Sequence, residues 1–290
     1  MNYKKVNTLK LSDPAYPKVL GQISDAPKQL FYAGAAPVSW LDRPRVAIVG
    51  SRKMTSYGEY VTKQLAHDLA STGIVIISGL AMGVDAAAHR ATINAGGLAV
   101  AVLPTSLDNI YPAAHRGLAE QIIDRGGTLL CEYRSGDDIY TTNFVARNRI
   151  VSGLADIVLI TEAALKSGSL HTARFAIDQG KTVMVVPGNI TNPSSEGCNN
   201  LIKSGAVPVT HSDDVMFALG IRKPKTKKPR VFRGGKLEQQ LLELIASGVN
   251  SQEDLALSSR RDGAEVISAL TMLEISGYIR PEGVGNWSIL

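Results

Sequence analysis

Residues 46–79 read VAIVGSRKMTSYGEYVTKQLAHDLASTGIVIISG, and this stretch decides the fold. VAIVG (46–50) is a short apolar run closed by glycine, the form of a strand buried on both faces. A helical stretch follows over roughly Gly58 to Ser71, with apolar or small residues at Val61, Leu65, Ala66 and Leu69. IVIISG (74–79) then repeats the strand-glycine form. Strand, helix and strand in this order make a parallel pair joined by a crossover helix.

The alternation continues along the chain. Asp85–Asn94 reads as a helix, LAVAVLP (98–104) as a strand, and Ala114–Arg125 as a further helix. TLLCEY (128–133) and ADIVLITEA (155–163) are strands, Leu170–Gln179 a helix, and TVMVVPG (182–188) the last strand of the series. Residues 45–220 are therefore expected to form an α/β domain, a Rossmann-like doubly wound parallel sheet. Residues 1–44 lack sustained periodicity and carry Pro14, Pro17, Pro27 and Pro37, which predicts an arm of short elements packed on that domain.

The net charge of +5 is unevenly spread. Residues 1–44 sum to +3, residues 45–220 to −1 and residues 236–290 to −4, whereas IRKPKTKKPRVFRGG (221–235) holds seven basic residues and no acidic one. Its prolines and glycines mark that segment as a linker. Beyond it, KLEQQLLELIASG, SQEDLALSS and DGAEVISALTMLEISG read as three helices, and YIRPEGVGNWSIL as a hairpin turning near Glu282–Asn286. That order is a small C-terminal winged helix-turn-helix over 236–290. Its presumed recognition helix, 262–277, has no Lys or Arg and three acidic residues. Such a helix is ill suited to a groove walled by phosphates, so a protein contact or regulatory role is expected of it.

Several function classes are excluded. No apolar run is long enough to span a membrane, and the N-terminus lacks the apolar core of a signal peptide. With only Cys131 and Cys198, the chain suits a reducing cytoplasm, without a disulfide framework or zinc cluster. Neither a P-loop signature nor G-x-G-x-x-G after the first strand is present, which argues against a P-loop ATPase and an ordinary dinucleotide dehydrogenase. The five histidines are scattered without metal spacing, so no metal and no cofactor are expected. Asp85 and His89, at i and i+4, are read as a helix cap hydrogen-bonded to a histidine, with an acid–base pair as the alternative.

In an open parallel sheet ligands bind at the carboxyl ends of the strands. Four loops there are informative: GSR (50–52), SGLAMG (78–83), TEAALKSGS (161–169) and PGN (187–189). Glycines admit close backbone approach, each following helix offers its positive end, and Ser51, Ser78, Ser167 and Ser169 offer hydroxyls. Together they predict a phosphate-binding rim with Gly50, Gly79 and Gly168. Arg52, Arg147, Arg149 and Arg174 lie nearby in sequence, and guanidinium suits bidentate phosphate contact. The competing reading pairs them with Asp85, Asp156 or Glu162. Tyr140 and Phe144 are placed to stack on bases or to fill the core.

VAIVGSRKMTSYG, SGLAMGVDAAAH, AVLPTSLDNIYP, LLCEY, NFVARNRIVSGLAD, EAALKSGSLHTARFA and VVPGN…GCNNLIKSGA, spread over roughly residues 12–210, resemble the DNA-processing protein A family, also called Smf. The resemblance implies a protein that binds and protects single-stranded DNA and loads a RecA-type recombinase during natural transformation. It also implies homodimers or longer assemblies through the Rossmann-like domain. The family's DNA pocket falls on Gly50, Ser51, Arg52, Phe144, Arg147, Asn148, Arg149, Ser167, Gly168 and Ser169. Met82 stands where a basic residue is common, Val145 where proline is usual, and His115 where asparagine is usual. On this reading the anion between Arg147 and Arg149 is a DNA phosphate.

Two alternatives stand beside it. One is an enzyme or sensor of free nucleotides, of the kind that cleaves N-glycosidic bonds, with Glu162 or Asp85 as the acid. The other is a transcription regulator with a ligand-sensing core, which the acidic recognition helix disfavours.

Overall fold

The computed structural model describes residues 6–221, 234–283 and 285–289. The chain divides into two compact units, 1–223 and 224–290. Of the basic segment expected over 221–235, residues 222–233 lie outside the described ones.

The first unit is built on nine strands. β1 (Asn7–Lys10), α1 (Lys18–Gly21) and β2 (Gln29–Gly34) come from the N-terminal segment. The alternating series follows: β3 (Arg45–Val49), α2 (Ser56–Ser71), β4 (Val75–Ser78), α3 (Val84–Asn94), β5 (Ala99–Leu103), α4 (Arg116–Asp124) and β6 (Thr128–Cys131). Two short helices, α5 (Thr141–Ala146) and α6 (Asn148–Leu154), precede β7 (Ile157–Ile160), and α7 (Ser169–Asp178) leads to β8 (Thr182–Val185). α8 (Glu196–Lys203), β9 (Val207–Pro208) and α9 (Ser212–Ala218) close the unit.

The strand order is β1-β2-β6-β5-β4-β3-β7-β8-β9. All pairings from β6 across to β9 are parallel. The N-terminal segment is thus more than an arm laid on the core: β2 pairs antiparallel with β6, and β1 with β2, extending the sheet by two strands.

Strand alternation sorts the core into two layers. Ala47, Val49, Val75, Ile77, Val158 and Ile160 face α6 and α7 through Ile150, Leu154 and Ala173. Val46, Ile48, Ile76, Ile157 and Leu159 face α2 through Leu65 and Leu69. Both layers are apolar because helices cover both sheet faces, which is why these strands read as continuous hydrophobic runs. The chain order reverses at β3: β4 lies on one side of it and β7 on the other. That reversal opens a crevice between the loops that leave β3 and β7.

The second unit holds α10 (Lys236–Ala246), α11 (Gln252–Ser259), α12 (Gly263–Ile275), β10 (Ile279–Pro281) and β11 (Trp287–Ile289). Leu241, Leu255, Val266, Leu270 and Leu273 form its core, and β10 and β11 pair antiparallel. Ser251 caps α11, its hydroxyl accepting from the Asp254 N–H. These are the three helices and hairpin expected from the sequence.

Candidate functional site

The crevice at the strand reversal is a groove of about 600 Å³. Gly50, Ser51 and Arg52 form one wall, Ser167, Gly168 and Ser169 the other, and Phe144, Arg147 and Asn148 the end between them. Three loops far apart in sequence therefore meet where the topology requires.

Local bonding fixes these walls. The Ser51 N–H donates to the Glu162 carbonyl at 2.7 Å, tying the loop after β3 to the loop after β7. The Ser167 and Ser169 hydroxyls are 2.8 Å apart, at the start of α7. Asn148 Nδ2 reaches the Gly168 carbonyl at 3.5 Å. The Phe144 ring meets Tyr111 edge-on, with centroids 5.0 Å apart, and Arg52 lies over its face at 5.7 Å.

The helix ends are not equally available. Glu162 is buried and accepts from the backbone N–H and the hydroxyl of Thr55, so a carboxylate already occupies the amino end of α2. Asp85 is buried at the start of α3 and accepts from the N–H groups of Gly79 and Ala81. The amino end of α7, by contrast, lines the groove through Gly168 and Ser169.

Two expected arginine contacts are corrected by the side chains. Arg147 is 4% exposed, and its Nη1 donates to the carbonyls of Gly79 and Val102. Its Nε donates to Asn148 Oδ1 at 3.2 Å. Its guanidinium lies flat over Gly79, where a Cβ would come within 2.5 Å of Cζ, so only glycine fits. Burial brings the Arg147 pKa down to about 10, with the nearby Asp85 opposing that shift. Arg147 is therefore a buried clamp holding the loop after β4 to strand β5, rather than an outward phosphate ligand.

Arg149 leaves the groove altogether. Its Nε meets Asp25 at 2.7 Å and its Nη2 meets Glu132 at 2.8 Å, so two carboxylates hold it, while its buried Nη1 has no hydrogen-bond partner among the described residues. Ser78 is fully buried, with its hydroxyl donating to the Ile48 carbonyl at 2.6 Å, and is not part of the rim. Arg174 is exposed on α7, outside the groove lining. The anion between Arg147 and Arg149 that the sequence suggested does not exist as one site: the two guanidiniums serve separate internal networks.

Asp85 and His89 do not pair as expected either. Asp85 takes backbone donors, while both ring nitrogens of fully buried His89 lack hydrogen-bond partners. Burial, aided by His115 and Arg147, pulls the His89 imidazole down to about 3, so it stays neutral. Burial also pushes the Asp85 carboxyl above its ordinary range, against the effects of Arg147 and its backbone donors.

The cations that do stand open along the groove are Arg52, Lys53 and Lys166. Sequence reasoning passed over the two lysines. The available signal was adjacency: Lys53 follows the GSR loop directly, and Lys166 precedes Ser167. Thr172, one turn into α7, adds a further lining residue. Among the described residues no cluster of His, Cys, Asp and Glu is placed to hold a metal ion. No helix among them is long and apolar enough to cross a membrane.

The arrangement suits an extended anion: a trough, open cations on both walls, a helix amino end and one aromatic ring. Comparison with known proteins is consistent with that chemistry. The family model for DNA recombination-mediator protein A matches residues 7–220. Protein Smf of Escherichia coli is 37% identical over 272 residues, covering 91% of this chain and 72% of that one. The crystal structure of DNA processing protein A from Streptococcus pneumoniae superposes with a TM-score of 0.69 at 39% identity, covering 74% of this chain and 75% of that one. DNA processing protein A from Helicobacter pylori, whose structure concerns its single-stranded-DNA binding mode, gives a TM-score of 0.64 at 34% identity, covering 74% and 95%.

Proposed function

The chain belongs to the DNA recombination-mediator protein A family, and from that premise we propose that its groove binds the backbone of single-stranded DNA. The observation that carries this reading is the trough at the strand reversal, flanked by exposed Arg52, Lys53 and Lys166 and ended by Phe144. Phosphates lie along the Gly50–Ser51–Arg52 and Ser167–Gly168–Ser169 walls, and a base stacks on Phe144. Binding comes from a local cationic trough, since residues 45–220 as a whole carry a charge of only −1. A single strand fits because its bases can splay toward an aromatic ring, which those of a duplex cannot.

In the cell the protein protects such strands in the cytoplasm and passes them to a RecA-type recombinase during DNA uptake. It acts as a homodimer through the Rossmann-like unit, by binding rather than by catalysis. The second unit makes a protein or regulatory contact.

Titrating labelled single-stranded and duplex oligonucleotides across salt tests the reading. Three groove cations meeting phosphates give a log–log salt slope of about −2, at roughly 0.7 per phosphate for a single strand. A clear single-strand preference is expected; equal affinity for duplex, or a flat salt response, overturns the proposal.

One observation favours a second reading. Asp85 lines the groove and its carboxyl is held above its ordinary range by burial, as suits a general acid toward a nucleotide. Release of free base from nucleoside monophosphates would establish that reading, and its absence would leave Asp85 as the partner of Arg147.

A further inference from the structure

A second cavity is lined by residues of α5, α6 and α7 and of the turn after α1. It encloses about 510 Å³, within the range of small-molecule sites and over three times the roughly 150 Å³ of an engineered cavity that takes up one benzene ring. Ile23, Val145, Ala146 and Phe175 give it apolar walls. Val145 is the only residue it shares with the lining of the groove.

Two polar atoms of the lining residues are left over. Arg149 is 6% exposed, and Asp25 and Glu132 hold its Nε and Nη2. Its Nη1 is buried without a hydrogen-bond partner among the described residues. Gln179 repeats the situation with the opposite polarity. Its Nε2 donates to the Arg149 carbonyl at 3.0 Å, which fixes the orientation of the amide, and its buried Oε1 is equally unpartnered. A buried polar atom left unpaired is costly, and two of opposite kind beside one cavity call for a ligand that offers both an acceptor and a donor. Charge narrows the class. Exposed Asp25 and Asp178 also line the cavity, so carboxylates outnumber its one guanidinium and a phosphate is disfavoured. What fits is an uncharged planar ring with adjacent carbonyl and N–H groups, able to lie against the half-buried Phe175 ring.

We propose that this cavity is a second ligand site, for an uncharged cyclic amide of the kind that a free thymine or uracil nucleoside presents. The ring lies against Phe175, its carbonyl accepts from Arg149 Nη1, and its N–H donates to Gln179 Oε1. The ligand is free rather than part of a strand, because a base still in its chain brings phosphates up to Asp25 and Asp178. The inference does not depend on what the groove binds. It also gives Arg149 a task at a ligand, although not at the phosphate that its place in the sequence suggested.

Isothermal titration of the full chain with thymidine tests this. The comparison ligands are N3-methylthymidine, in which a methyl group replaces the donor, and thymidine monophosphate, which adds charge. Saturable binding of thymidine is expected. The methylated analogue should bind about tenfold or more weakly, because Gln179 Oε1 stays unpaired, and the monophosphate severalfold more weakly. Gln179→Met removes the acceptor at nearly the same size. It should abolish the preference for thymidine over N3-methylthymidine and leave the affinity for oligo-dT unchanged. Any one of four results overturns the site: no saturable binding of thymidine at millimolar concentration, equal affinity for the methylated analogue, a preference retained in Q179M, or displacement of bound thymidine by oligo-dT. If Q179M fails to fold, the comparison of the two thymidines on the wild-type chain decides. Failure of oligo-dT to bind would strike the groove reading and leave this one standing.

Discussion

Replacing Arg147 with alanine should cost stability before it touches any ligand. The side chain is 4% exposed, Asp85 beside it is 6% exposed, and the carbonyls of Gly79 and Val102 depend on its Nη1. Asp85 and Arg147 influence each other electrostatically rather than as a contact ion pair, and leaving a buried charge uncompensated typically costs about 3–5 kcal/mol. The two carbonyls would add roughly 1–3 kcal/mol each if they stayed dry. Water entering the vacated space and protonation of Asp85 offset much of that addition, leaving an expected loss of about 3–5 kcal/mol. For a unit of this size that corresponds to a fall in Tm of roughly 6–20 °C.

Urea unfolding followed by tryptophan fluorescence measures this cleanly. The chain has only Trp40 and Trp287, so a Trp287→Phe background leaves fully buried Trp40 as the reporter of the first unit. The pH dependence supplies an independent check. The Asp85 carboxyl is already raised by burial, with Arg147 holding it down. Loss of Arg147 raises it further, so the folded variant binds a proton that the unfolded chain releases. Stability of R147A relative to wild type therefore recovers as pH falls through the folded Asp85 value and worsens as pH rises through it. A loss below about 1 kcal/mol, or one indifferent to pH, refutes the clamp assignment, since leaving two buried carbonyls and a buried carboxylate without the guanidinium costs more than that.

Other outcomes follow from the same geometry. Arg149→Ala should destabilise the first unit by about 2–4 kcal/mol, discounted because Asp25 is largely exposed, while the folded fraction keeps its oligonucleotide affinity in a gel shift. Lys53→Gln with Lys166→Gln should reduce the salt slope of single-strand binding by about 1.4 with no change in Tm beyond a degree or two. Gly58→Ala would place a Cβ 2.5 Å from the Glu162 carboxylate, and chemical denaturation should register a loss of about 1–3 kcal/mol. The fragment 236–290, whose α12 lacks Lys and Arg, should give no duplex shift at moderate salt.

The sheet was legible where burial on both faces leaves no polar positions. All five residues of β3 and of β5 are buried, so their sequences carry an unbroken apolar signal. β2 gave no such signal because its burial alternates irregularly, as does that of an antiparallel strand near a sheet edge. α5 and α6 escaped because they run six and seven residues and meet at Arg147, too short for a helical period to show. The groove's location followed from glycines at strand ends, a property of single loops. The directions of the arginines did not. Asp25 lies 124 residues before Arg149, and nothing local in either segment announces the pair. Glu162 at the amino end of α2 is a similar long-range match, 107 residues from Thr55.

The pairing of β2 with β6 imposes an order on biosynthesis. Phe31 aligns with Cys131, and Trp40 donates its indole hydrogen bond to Thr128. At about 5–20 residues per second, the ribosome needs roughly 5–20 s to deliver the second partner after the first. During that interval β2 has no edge strand to join, and Leu30 and Trp40, both destined for complete burial, have nowhere to hide. These two side chains thus stay unsheltered until the sixth strand emerges, so the first unit closes only when its middle has been made.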